Sequence, residues 1–106
     1  MTHAPNLNQA KVVVVVFTLE GCGACDEFKP RFRQIASHYA HAIPIVMADA
    51  NDPRYAQLAD RLSVQSVPAT YILRKPHGIM RAVGGLPDEQ INRLLDFAVR
   101  EAAAYY

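Results

Sequence analysis

The chain has 106 residues, 51% of them apolar, enough for one buried core and too few for a second domain. Its 11 basic and 10 acidic side chains leave a formal charge of +1 with both signs scattered, so there is no footprint for nucleic acid or an anionic membrane. The longest apolar run, residues 12–17, is far too short to span a bilayer, and no basic n-region or small-residue cleavage site marks a signal peptide.

Residues 1–10, with His3, Pro5, Asn6 and Asn8, read as a loose lead-in. Residues 12–18 are apolar and β-branched almost throughout, the pattern of a central strand covered on both faces. Residues 23–40 carry Phe28, Phe32, Ile35 and Tyr39 at helical spacing, with Lys29, Arg31 and Arg33 off that stripe. Pro30 falls inside this helix and is expected to kink it. Residues 43–48 read as a second strand. Asp52-Pro53 is a good N-cap and N1 pair for a helix through Leu62, on which Ala56, Leu58, Ala59 and Leu62 are apolar. Residues 69–73 form a third strand, Lys75-Pro76-His77-Gly78 a turn, and residues 79–83 a fourth strand ended by Gly84-Gly85. Pro87 opens a last helix with Ile91, Leu94, Leu95, Ala98 and Val99 inward. This order predicts an α/β domain over residues 11–103, with a mixed four-stranded sheet and helices on both faces. Residues 104–106 form a tail in which Tyr105-Tyr106 is a frayed end or an exposed partner contact.

The chemistry centres on Cys22-Gly23-Ala24-Cys25, directly after the central strand and opening the first long helix; there are no other cysteines. Two thiols three residues apart at a helix start lie on one face, close enough to be joined by a disulfide. The N–H groups and dipole of the helix end also stabilise a thiolate, the attacking form. Two cysteines make no disulfide framework, which leaves redox or metal chemistry. Zinc usually takes four ligands, so histidines would have to complete a site. His38 and His41 sit at the far end of the motif's own helix, about 20 Å or more away by helix rise, where they suit its C-terminal dipole. His3 is in the lead-in and His77 in the hairpin, so no metal site is expected.

With these residues in place the chain resembles thioredoxin-fold proteins, thioredoxins more than glutaredoxins. The resemblance rests on the CGAC motif after an apolar strand, Pro30 five residues beyond it, and Val67-Pro68 at the family's cis-proline position. Gly78 in the hairpin and Gly84 after the last strand complete it, and it spans about residues 11–103. It implies the three-layer thioredoxin fold and a redox-active Cys22–Cys25 disulfide, with Cys22 attacking and Cys25 resolving. It also implies substrate binding at Gly21, Val67, Pro68 and Gly84, Val67 pairing with the substrate backbone. No cofactor follows from it. Protein disulfides are the implied substrates, an upstream disulfide reductase the electron source, and a cytoplasmic monomer the implied state. In the plainer reading Pro68 is an edge proline in trans.

Several positions depart from the family pattern. Gly21 stands where the family has Trp, either as a tight-turn residue or as an opening of the groove beside Cys22. Ala24 replaces proline between the cysteines. Val16 occupies the position of a buried acid, and Met47 that of its lysine partner. The family's first strand and helix are shortened or missing. Glu20, Asp26 and Glu27 oppose a Cys22 thiolate, although Asp26 and Glu27 also suit the first turn of a helix. Two functions compete on these grounds: a thiol–disulfide oxidoreductase, and a binding module whose cysteines form a redox-sensitive or metal-binding contact.

Overall fold

The structure, a computed structural model, describes residues 10–104; the lead-in up to residue 9 and Tyr105-Tyr106 lie outside the described residues. The chain forms β1 (Val12–Thr18), α1 (Gly23–Ala36), β2 (Ile45–Asp49), α2 (Pro53–Arg61), β3 (Ala69–Arg74), β4 (Gly78–Val83) and α3 (Asp88–Ala103). The sheet order is β2-β1-β3-β4, with β1 parallel to β2 and antiparallel to β3, and β3 antiparallel to β4. Among the described residues no strand precedes β1.

All seven residues of β1 are buried, because alternate side chains face two separate cores. Val12, Val14 and Val16 meet Phe28, Phe32, Ile91 and Leu95 beneath α1 and α3. Val13, Val15 and Phe17 meet Val46, Ala59 and Tyr71 on the side of α2. Phe17 and Tyr71 pack edge to face across β1 and β3, with ring centroids 5.6 Å apart.

The helix starts follow local chemistry. The Asp52 side chain accepts from the Arg54 N–H at 2.9 Å, capping α2, and Pro53 lies in its first turn. α1 runs on through Pro30 but ends at Ala36, not at residue 40. Ser37 Oγ donates to the Gln34 carbonyl at 2.6 Å, and the Ala36 carbonyl accepts from both Tyr39 and Ala40, which tightens the chain into a turn. Tyr39 therefore leaves the helical stripe. It still packs on the core, and its hydroxyl reaches Asn92 of α3 at 3.3 Å. His38 and His41 are exposed in this turn, beyond the helix rather than on its last residues.

Arg31 ties α1 to the start of α3. Its guanidinium donates to both Glu27 oxygens at 2.7 and 3.0 Å, to Asp88 Oδ1 at 2.7 Å and to the Leu86 carbonyl at 2.9 Å. The Arg31 hydrogen bond holds Glu27 below its ordinary carboxyl value of 4.5, so this pairing is complete at neutral pH and lost as acid titrates Glu27 below that value. Two variants separate this clamp from the core. Leu95→Ala empties a fully buried site and should cost about 2–5 kcal/mol in denaturant unfolding. Arg31→Gln should leave the melting temperature nearly unchanged while the Gly84 and Ile91 amides, hydrogen-bonded on either side of Leu86, lose hydrogen-exchange protection, as acidification of the native protein should also do.

Candidate active site

The motif stands where β1 stops and α1 begins. After Thr18 the chain turns through Leu19, Glu20 and Gly21, and the Cys22 N–H donates to the Leu19 carbonyl at 3.3 Å. Gly21 adopts φ +78°, in the left-handed region that favours glycine. A Cβ built there would meet nothing within 4 Å. The backbone thus accounts for Gly21 as a turn residue.

Cys22 is the N-cap of α1, with extended backbone (φ −91°, ψ 108°), and its sulfur accepts from the Cys25 N–H at 3.0 Å. Its carbonyl takes the first helical hydrogen bond, from Asp26 N at 3.0 Å. The two cysteines are joined in a disulfide with their Cα atoms 5.2 Å apart. Burial separates them sharply: Cys22 is partly exposed, whereas Cys25 is fully enclosed one turn into the helix. A reagent arriving from solvent therefore meets the Cys22 sulfur first. A negative charge on that sulfur would face the Cys25 N–H and the positive end of the α1 dipole.

The facing wall is the loop before β3. The Val67–Pro68 bond is cis, Pro68 is buried, and the Val67 carbonyl lies 3.9 Å from Cys22 Sγ. In the disulfide that sulfur has no proton to donate; a Cys22 thiol would have one. Gly84, at φ +99°, donates its N–H to the Pro68 carbonyl at 2.8 Å, fastening the end of β4 to this loop. A Cβ at Gly84 would likewise meet nothing within 4 Å. Gly21, Cys22, Val67, Pro68 and Gly84 thus share one end of the sheet, with Cys25 beneath them.

The charges around the motif are partly neutralised. Asp26 lies 3.8 Å from Lys29, and Glu27 is held by Arg31. Lys29 and Arg31 follow the motif by four and six residues, so the acids of the first turn act on Cys22 through pairs rather than alone. Val16 is fully buried, paired in register with Met47 on β2 and Thr70 on β3, and no ionisable group stands on β1. Sequence reasoning misses the role of Arg31, which it places only off the apolar stripe, although Glu27 one helical turn before it is a visible signal. Lys75–Pro76 is a second cis bond, in the hairpin and away from the site.

Comparison with known proteins agrees with this geometry. The thioredoxin family model matches residues 2–97. Thioredoxin H7 of Arabidopsis thaliana is 33% identical over 84 residues, which cover 79% of this chain and 63% of that protein. Thioredoxin 2 of Chlorobaculum tepidum is 28% identical over 94 residues, covering 89% of this chain and 84% of that one. In three dimensions the thioredoxin of Malassezia sympodialis superposes with a TM-score of 0.74 at 20% identity, over 85% of this chain and 79% of that chain. The chain spans about 63% of the length of thioredoxin H7, and with the family model matching residues 2–97 it belongs to the thioredoxin family, its Cys22–Cys25 disulfide being a CxxC pair.

Proposed function

We propose that the protein exchanges electrons with protein disulfides, Cys22 attacking and Cys25 resolving. One observation carries this assignment: the partly exposed sulfur is the one that caps the helix, while its partner is wholly buried. In the reductive direction the Cys22 thiolate attacks a substrate disulfide, forming a mixed disulfide and releasing one substrate sulfur as thiolate. Cys25 then loses its proton to water and attacks Cys22 Sγ. The Cys22–substrate bond breaks, the second substrate sulfur leaves, and the Cys22–Cys25 disulfide remains. Two electrons pass to the substrate. An upstream disulfide reductase returns them, in a reducing compartment such as the cytoplasm, and the protein acts as a monomer.

The substrate lies in the groove between Gly21 and Gly84, with its backbone extended along Val67. The Val67 carbonyl, already beside Cys22, supports this reading, since an extended segment laid there would pair as a short added strand. Neither glycine presents a side chain to an incoming segment, and an added Cβ at either would meet open space, which supports this placement.

Reduction of insulin with a small dithiol as electron source tests the activity itself: turnover is expected, and inertness of the wild-type protein would favour the binding-module reading. Cys25→Ser should accumulate covalent partner complexes that reductant clears, whereas Cys22→Ser should accumulate few. The opposite pattern would reverse the two roles.

A second expected outcome concerns Val16. With no acid on β1, resolution depends on water or hydroxide to take the Cys25 proton, and turnover should climb with pH until the thiol ionises unaided. Val16→Asp should lower stability, because an unpaired carboxylate beside Met47 has no cationic partner there. It should also speed resolution near neutral pH by up to ~10²-fold and flatten the pH–rate profile. A folded variant with an unchanged profile would show that proton removal from Cys25 is not limiting.

A further inference from the structure

Among the described residues, Thr70 carries the one buried side-chain oxygen or nitrogen without a hydrogen-bond partner. The residue is fully enclosed. Enclosing a hydroxyl with nothing to bond costs stability, and a valine of the same shape would avoid that cost. Such a group calls for an explanation, and a redox or catalytic role is one that its place in the fold can supply.

Its place suggests which role. Thr70 pairs across the sheet with Val16 of β1 and Ala82 of β4. Directly opposed residues of an antiparallel pair point to the same face, and Val16 packs with Phe28 beneath α1. The Thr70 side chain therefore enters the layer between the sheet and α1, and Cys25 shares the buried face of α1 with Phe28 and Phe32, which pack into that layer. Thr70 is also only three residues past Val67, whose carbonyl lies 3.9 Å from Cys22 Sγ. Hydroxyl and buried cysteine thus lie at the same end of one closed layer. The other β1 residues that face it, Val12 and Val14, offer no polar atom to either.

We propose that the Thr70 hydroxyl becomes the hydrogen-bond donor to Cys25 Sγ once the disulfide opens, and so favours the Cys25 thiolate during resolution. The inference rests on the oxidoreductase reading above and adds a residue to it. In the disulfide the Cys25 sulfur is bonded to Cys22, is neutral and accepts poorly, which leaves the hydroxyl unpartnered as observed. Opening the disulfide frees that sulfur, and the thiolate is a strong acceptor. When Cys25 resolves a mixed disulfide its own proton passes to water, its electron pair forms the bond to Cys22, and the substrate sulfur leaves with the pair from the broken bond. Thr70 keeps its proton throughout.

The test is Thr70→Val, with Thr70→Ser as the conservative partner. Three quantities are measured: thermal stability of the oxidised form, the dithiol–disulfide equilibrium against glutathione, and the rate at which Cys25 releases a preformed mixed disulfide on Cys22. Thr70→Val should leave the oxidised form as stable as the wild type or more so. It should shift the equilibrium toward the disulfide and slow release, each by roughly three- to tenfold, the size of one net hydrogen bond. Thr70→Ser should restore both. A purely structural hydroxyl would change the stability of both redox forms equally and leave equilibrium and release untouched. That result, a shift toward the dithiol, or failure of serine to restore would each overturn the proposal. Failure of the parent reading would show instead in the wild-type protein, as absence of exchange with glutathione.

Discussion

β1 is enclosed on both faces along its whole length, and the rest of the molecule is arranged to keep it so. A strand of this kind needs a neighbour on each edge and a layer on each face. β2 and β3 supply the edges, α1 and α3 one face, and α2 the other. The chain can leave such a strand only at its ends, where backbone groups regain access to water. At the carboxyl end it leaves through the turn at Gly21 and re-enters at once as α1, so the first turn of that helix stands at the rim of the sheet. A cysteine capping the helix and another one turn in are thereby set at different depths by the same geometry.

The site is held from two further directions. Gly84 N–H to the Pro68 carbonyl joins the end of β4 to the loop facing the dithiol, and Arg31 joins the chain just after β4 to the helix that carries it. Three segments far apart in sequence are thus fixed around one sulfur by main-chain bonds and one guanidinium. The Arg31–Glu27 pairing also offsets part of the negative charge that Glu27 would otherwise place on the helix of the dithiol.

The parts legible in the sequence were those with a local or periodic signature. The continuous β-branched run, the Asp52-Pro53 start of α2 and the CGAC motif after the central strand each read correctly, because burial, capping and cysteine spacing are properties of short windows. The end of α1 did not. Apolar spacing continues to Tyr39, and the residue is indeed against the core, but the chain tightens into a turn before it, where Tyr39 and Ala40 both donate to the Ala36 carbonyl. Arg31 and Thr70 were illegible for a different reason. The bonds of Arg31 to Leu86 and Asp88 span more than fifty residues. Thr70 matters for what its hydroxyl lacks, and threonine in a strand otherwise reads as an ordinary β-former.

The Cys22 sulfur serves as both helix cap and exposed member of the dithiol, so blocking the thiol is also a change to the fold. An alkylating reagent that consumes it leaves a bulkier thioether, a weaker acceptor for the Cys25 N–H than a thiolate, and the opening turn of α1 is loosened just as the chemistry stops. Serine in its place keeps an acceptor there and alanine does not, since serine is among the preferred N-cap residues and alanine is not. The two knockouts are chemically equivalent but structurally different: one isolates the loss of sulfur, and the other mixes it with fraying of the helix that holds its partner.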